Sequence, residues 1–358
     1  MAKKFLAILL SLIVLVSCGE PEVPEIPEAP KTPTLEIRGA DMSFLPEVRQ
    51  SGLAIRNAAG VPEDMLATLK NAGANVVRLR LWNNPTTPTS GFETVKTLST
   101  EIKNRGMKVM LTLHYSDSWA DPGTQTIPAL WQGISYERLL DSVYHFTRRV
   151  VQAIQPEYIK IGNEINSGLL WPHGHINQPT QMRALLQRGI EAVRTYSPRS
   201  KIVMHIGGTT AANYFLGRIA GLDYDIIGIS YYPKWHGTNL SALQQALTQI
   251  ASNHQKPIFI AETSYPFTLG WNDWTNNVVG EAGHLIPGIP ATSEGQLAFM
   301  QQIRQIIDNV PNGIGFVYWG AEWISYRGVQ ATDGSTWENQ ALWDFNNRAL
   351  PAISVFAP

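Results

Sequence analysis

"EYIKIGNEINSG", Glu157 to Gly168, decides how the chain is read. Ile159 and Ile161 mark a short apolar run of the kind that forms a buried strand, yet the run closes on Asn163 and Glu164. Burying such a polar pair is costly unless each member is paired or emerges into a cleft. The stretch therefore reads as a strand whose C-terminal end opens onto a functional surface.

Seven further runs repeat the pattern: "IRGADMS", "NVVRLRLW", "KVMLTLHY", "KIVMHIGG", "DIIGISYY", "PIFIAET" and "GIGFVYW". Between them lie stretches of helical period, so the alternation predicts repeated β-α units, a parallel sheet and, at eight units, a (β/α)8 barrel. "VPEDMLATLKNAG" has Pro62 near its start and Gly73 past its end, as helix-terminus preferences require. "SYERLLDSVYHFTRRVVQAI" and "SEGQLAFMQQIRQIIDNV" each place a Ser where an N-cap belongs. An open doubly wound sheet would call for a Gly-rich phosphate turn after an early strand. Neither G-x-G-x-x-G nor G-x-x-x-x-G-K-[ST] occurs, and Gly207-Gly208 alone carries little weight.

Composition agrees with one large enzyme-sized core: 358 residues, 44% hydrophobic and 16% charged, too apolar for disorder. A formal net charge of −1 without clustered Lys and Arg beyond the first four residues excludes an electrostatic footprint for nucleic acid. The chain begins "MAKKFLAILLSLIVLVSCGE", two lysines before an apolar run from Phe5 to Val16 that is short for a bilayer span and right for a signal-peptide core. Leu15-Val16-Ser17-Cys18 resembles a bacterial lipoprotein box, so Cys18, the single cysteine, is expected to be acylated and to anchor the chain to a membrane. "GEPEVPEIPEAPKTP" then reads as an extended Pro/Glu tether. The expected organisation is a signal peptide over 1–17, a tether over 18–34 and a catalytic barrel over 35–358. Acidic residues after Cys18 resemble surface-export signals, which places the expected lipoprotein on the cell surface of a Gram-negative bacterium.

Barrel enzymes build their sites at the C-terminal strand ends. Those ends carry Asp41, Arg80 with Trp82, His114 with Asp117, Asn163 with Glu164, His205, Ser230 with Tyr232, Glu262, and Trp319. Of these, Glu164 and Glu262 each bring a carboxylate to the close of a continuous apolar run. Two carboxylates across one cleft suit glycosidic bond cleavage, one protonated to assist the leaving oxygen and one ionised. Glu164 is then the acid and base, and Glu262 the nucleophile. The plainer reading is that each glutamate pairs with an arginine, Arg78 or Arg80, for structural reasons. Eight tryptophans (Trp82, Trp119, Trp171, Trp235, Trp271, Trp274, Trp319, Trp323) fall at or after strand ends, and indole faces suit the apolar C–H faces of sugars.

With these residues in view, "GADMS" at Gly39, "HYSDSWADPG" at His114, "IGNEINSGLLWP" at Ile161, "SYYP" at Ser230 and "ETSYPFT" at Glu262 resemble the blocks of the endo-β-1,4-galactanases of glycoside hydrolase family 53, in order and over nearly the whole chain after the tether. The resemblance implies retaining hydrolysis of β-1,4-galactan or type I arabinogalactan, with Glu164 as proton donor and Glu262 as nucleophile. Asn163 is expected to hydrogen-bond the 2-hydroxyl of the sugar being cleaved. Arg80 and Tyr232 are expected to hold Glu262 ionised; Arg78 lies on the same face as Arg80 but deeper, which favours Arg80. Trp319 is expected to floor the sugar site, His114 to join the substrate-binding set, and Asp117 and Trp119, by resemblance, to contact neighbouring sugar units.

No cofactor is required by this chemistry. Some bacterial relatives resemble one another in a calcium loop after the strand bearing the nucleophile; here "LGWNDWTNN" keeps Asp273 and Asn277 but has Trp271 and Thr275 at the other places, a poor match to the six to eight oxygens Ca²⁺ prefers. His173 and His175 lack a third ligand at useful spacing for zinc. Two alternatives remain: a mannan- or glucan-cleaving enzyme of the same clan, and a surface lipoprotein that binds glycan without cutting it.

Overall fold

The computed structural model describes residues 35–358; the expected export segment, Cys18 and the tether lie outside the described residues. The strands β1 (Ile37–Asp41), β2 (Val76–Leu81), β3 (Lys108–Leu113), β4 (Tyr158–Ile161), β5 (Lys201–Gly207), β6 (Ile226–Ser230), β7 (Ile258–Thr263) and β8 (Gly313–Tyr318) close in chain order into one barrel. Every neighbouring pair is parallel, and β8 returns to β1 through Ile37 opposite Gly315 and Ala40 opposite Tyr318. All eight apolar runs have become strands of a (β/α)8 barrel.

Side-chain alternation divides each strand between two layers. On β2, Val77, Leu79 and Leu81 face the surrounding helices, whereas Val76 points into the barrel. Ile37, Val76, Met110, Tyr158, Val203, Ile226, Phe259 and Val317 fill the lower interior, so the barrel is a packed core and not a pore. The helix Tyr136–Ile154 buries Leu139, Val143, Phe146, Val150 and Ile154 at helical spacing, and Ser135 caps it by accepting from the Arg138 amide. Burying an apolar side chain of this size contributes roughly 1.5–3 kcal/mol. Among the described residues, no helix is long and apolar enough to cross a membrane.

Two helix starts differ from expectation. The helix placed near Pro62 spans Met65–Asn71 and is capped by Asp64, whose carboxylate accepts from the Leu66 amide; Pro62 belongs to the extended lead-in. The helix Ser293–Asn309 is capped by Thr292, with Ser293 as its first residue. In both, a neighbouring Asp or Thr offers an acceptor oxygen at the geometry the free amides need.

Candidate active site

Strict alternation would hide one of the two glutamates. On β7, Phe259 and Ala261 point into the barrel, so Glu262 would face the helices if the strand ran on regularly. It does not: the register shifts between Ile229 and Ser230 on the β6 side and between Ile260 and Thr263 on the β8 side. Such irregularities re-aim side chains, and Glu262 is turned into the cleft. The end of β4 uses backbone torsion instead. Gly162 (φ 91°) and Glu164 (φ 46°) both adopt the left-handed conformation, unusual for a non-glycine residue and found preferentially at functional sites. The turn lets the consecutive residues Asn163 and Glu164 both line the cleft. Opposite it, a Cβ on Gly207 would lie 3.1 Å from Glu164 Oε1, so glycine leaves the carboxylate its space.

The cleft encloses about 260 Å³ at the barrel mouth, between His114, Asn163, Glu164, Glu262 and a wall of indoles. A carboxylate oxygen of Glu164, one of Glu262 and a ring nitrogen of His205 all lie within 4.8 Å of one another. Glu262 is buried, with Arg78 Nη2 2.7 Å from its Oε1 and the Tyr232 hydroxyl donating to its Oε2 at 2.9 Å. Arg78 also donates to Asp41 (2.6 Å), Asn163 Oδ1 (2.9 Å) and Thr112 Oγ1 (3.1 Å), tying residues of β1 and β3 and the end of β4 to Glu262. Glu164 keeps part of its surface open. Burial, then the charge of Glu262, pushes its carboxyl up to about 8, against smaller opposing effects of Ser230, Arg78 and Lys160.

Polar groups around the pair are placed with little slack. Asn163 Nδ2 donates to the Ala120 carbonyl at 2.8 Å, which leaves its second hydrogen for a ligand. His114 Nδ1 accepts from the Ala120 amide at 3.1 Å. Burial, then Arg78 and Arg80, holds this ring neutral, well below the usual histidine range. The tautomer then carries its proton on Nε2, a buried atom with no partner among the described residues. His205, likewise neutral through burial, shares Nε2 with Ser230 Oγ at 2.9 Å. Lys160, deep on β4, is wholly enclosed; its Nζ reaches the Ala261 carbonyl at 3.4 Å, and burial pushes it down to about 7.

Arg80 does not hold Glu262. Its guanidinium is caged by the rings of Trp119 (4.0 Å), Phe44 (4.6 Å) and Trp82 (4.8 Å), with Nε donating to Ser90 Oγ at 3.0 Å. Alternation ranked the depths of the two arginines correctly but ignored reach: the long side chain of Arg78 rises from below to the strand ends, while Arg80 starts where the aromatic rings close. Asp117 is also absent from the cleft. Its two oxygens accept from the Asn84 amide (2.9 Å) and the Ala129 amide (2.8 Å), joining the loops after β2 and β3.

Trp119, Trp235, Trp319 and Trp323 line the cleft. Trp82 braces Trp119 edge-on at 5.4 Å, and Trp171 donates to the Ser167 carbonyl. Trp271 and Trp274 are exposed on the loop after β7. Trp337 was not anticipated; it meets Trp319 edge-on at 4.5 Å from a loop well past β8, where strand ends give no signal. Glu322 was missed too: buried, it accepts from the Phe44 amide at 2.6 Å and fixes the ring stacked on Trp323 at 4.3 Å.

Glu164, His205 and Glu262 form the one three-residue group among the described residues spaced for a metal, but the Arg78 guanidinium already occupies Glu262. Asp273 and Asn277 do not fit calcium. Asp273 accepts the amides of Thr275 (2.7 Å) and Ser335 (3.3 Å), and Asn277 Nδ2 donates to the Gly270 carbonyl at 3.3 Å. Only Asn277 Oδ1 of this pair is a buried oxygen without a partner among the described residues, far short of six to eight oxygens. His175 accepts the Asn177 amide, and His173 packs on Tyr136.

The sequence matches the family model of Glycosyl hydrolase family 53 over residues 37–356. The chain belongs to this family. It is 34% identical over 340 residues to an arabinogalactan endo-β-1,4-galactanase of Cellvibrio japonicus, covering 89% of each chain. An endo-β-1,4-galactanase of Bacillus subtilis is 31% identical over 370 residues, covering 89% of this chain and 85% of that one. Among solved structures, the family 53 catalytic domain of Ignisphaera aggregans superposes with a TM-score of 0.86 at 35% identity, covering 91% of this chain and 97% of that chain. The family 53 chain is a glycoside hydrolase.

Proposed function

We propose that the protein cuts β-1,4-galactosidic bonds within galactan or type I arabinogalactan and retains the anomeric configuration. The observation that carries this reading is the pair of carboxylate oxygens within 4.8 Å at the barrel mouth. That spacing suits the about 5–5.5 Å of retaining pairs and leaves no room for the water that inverting pairs hold across about 6.5–9.5 Å. The galactan substrate is supported by family membership and by the activities named for the relatives.

Glu262, ion-paired with Arg78, attacks the anomeric carbon. The glycosidic C–O bond breaks as Glu164 gives its proton to the leaving oxygen, and a galactosyl ester of Glu262 remains. Water then attacks the same carbon, Glu164 takes its proton, and Glu262 leaves as a carboxylate. Glu164 suits the first step because a carboxyl pushed up to about 8 still holds its proton near neutral pH. Tyr232 and Arg78 orient the nucleophile, while Asn163 Nδ2 and His114 Nε2 offer donors to sugar hydroxyls. Trp119, Trp319 and Trp323 stack against sugar rings. Each step uses only side chains of this chain, the sugar and water. Acylation of Cys18 and attachment to a membrane remain part of the proposal, supported by the lipoprotein box alone.

Reducing-sugar release from potato galactan, with mannan and carboxymethyl cellulose alongside, tests the reading. Release from galactan, with β-configured reducing ends appearing first by proton NMR, is expected. A protein that binds galactan and cuts none of these polymers would instead be a glycan binder, and preference for mannan or the cellulose derivative would reassign the substrate.

A further inference from the structure

The cleft is not the most capacious recess of the described residues. A groove of about 1190 Å³ lies between the loop after β2, the start of the helix Phe92–Asn104 and the helix Tyr136–Ile154. None of its lining side chains has a part in the chemistry above. Its floor is aromatic: Trp131 meets Phe146 edge-on at 5.9 Å, and the Arg149 guanidinium lies over Phe92 at 4.7 Å. Its rim carries the side chains of Asn83, Asn84, Arg138 and His145, which make no hydrogen bond or ion pair among the described residues.

Charge narrows the occupant. Arg138 and Arg149 share the groove with Glu93 and Asp141, so the formal charges cancel. Nucleic acid or an acidic polysaccharide would call for a cationic surplus. The part-exposed Trp131 ring, with uncommitted amide, guanidinium and imidazole groups around it, suits a neutral sugar chain, whose C–H faces stack and whose hydroxyls hydrogen-bond. The groove also adjoins the cleft wall. The segment carrying Trp119 in the cleft is fastened by Asp117 to Asn84 and Ala129, the latter in the same short helix as the groove residues Leu130 and Trp131.

We propose that this groove is a second carbohydrate-binding site, holding a neutral β-linked galactan chain separate from the stretch being cut. The inference rests on the polysaccharide reading above and adds to it a place where the polymer is held without reaction. Such a site raises the time spent on long or insoluble substrate. It does nothing for oligosaccharides too short to occupy both sites.

Affinity electrophoresis of the full chain in native gels with and without potato galactan tests this, in a Glu262→Ala background so that the gel polymer is not consumed. Trp131→Ala removes part of the floor. The double substitution Asn84→Ala with His145→Ala alters only rim side chains, and thermal melts check that both variants fold. Galactan should retard the parent, and both variants should lose retardation severalfold. With Glu262 restored, both should show a severalfold higher KM on polymer and an unchanged rate on short galacto-oligosaccharides. Rim variants retarded like the parent, with its polymer KM, would overturn the inference while leaving galactan cleavage standing. Retardation by polygalacturonate in preference to galactan would overturn the neutral ligand. Failure of the unsubstituted protein to cut galactan would count against the proposed function, which this gel assay does not measure.

Discussion

The ends of β4 and β7 present the same side chain in opposite surroundings. Glu262 is buried and answered by Arg78 and the Tyr232 hydroxyl. Glu164 sits on a left-handed turn, partly open to the cleft, with burial and the neighbouring carboxylate keeping its proton on. The contrast teaches that a carboxyl's task is set by its neighbours: Arg78 and the Tyr232 hydroxyl fix the orientation of one, while burial and the nearby carboxylate keep the proton on the other. A register shift at the end of β7 and a left-handed turn at the end of β4 bring Glu262, Asn163 and Glu164 to one cleft.

The contrast is broken most severely at Glu262. Glu262→Ala should lower turnover on galactan by several orders of magnitude, and azide should restore part of it with inverted product; azide rescue with retention would sink the assignment. Glu164→Ala should cost about 10²–10⁴-fold, less in the first step for substrates whose leaving group needs no proton. Equal losses whatever the leaving group would remove Glu164 from the acid role. Arg78→Met leaves Asp41 and Glu262 buried without their shared cation and should destabilise the fold by about 3–5 kcal/mol, measured by denaturant unfolding. A variant as stable as the parent would mean that the network is not what secures the strand ends.

The smallest effects are those of pH. kcat/KM should fall as pH rises through about 8, the value to which Glu164 is pushed. Because the folded chain keeps a proton that the unfolded chain releases near 4.5, the contribution of this group to stability is full below about 4.5 and lost as pH rises through about 8. Glu164→Gln cannot ionise, so its Tm relative to the parent should be higher at pH 9 than at pH 4. A constant difference would show that Glu164 does not hold its proton.

The strands were legible because a parallel barrel buries both faces, which leaves continuous runs such as Lys108–Leu113 in plain view. Glu164 and Glu262 were legible because a carboxylate closing such a run is costly to bury and so marks the place where the strand meets a cleft. Periodicity ranked the depths of Arg78 and Arg80 but not which of them meets Glu262, since it fixes where a side chain leaves the backbone and not how far a flexible one extends. Nor could it show that Asp117 turns back to hold two loops, or that Trp337 returns from a distant segment to the cleft wall. Those placements depend on loop paths, which no local pattern encodes.

The most direct test is to trap the intermediate. A galacto-oligosaccharide carrying fluorine at C2 of the reacting sugar and a good leaving group at C1 slows both steps but lets the ester accumulate. Mass mapping of the inactivated protein should place one added glycosyl unit on the peptide containing Glu262; a unit carried by any other side chain would contradict the account.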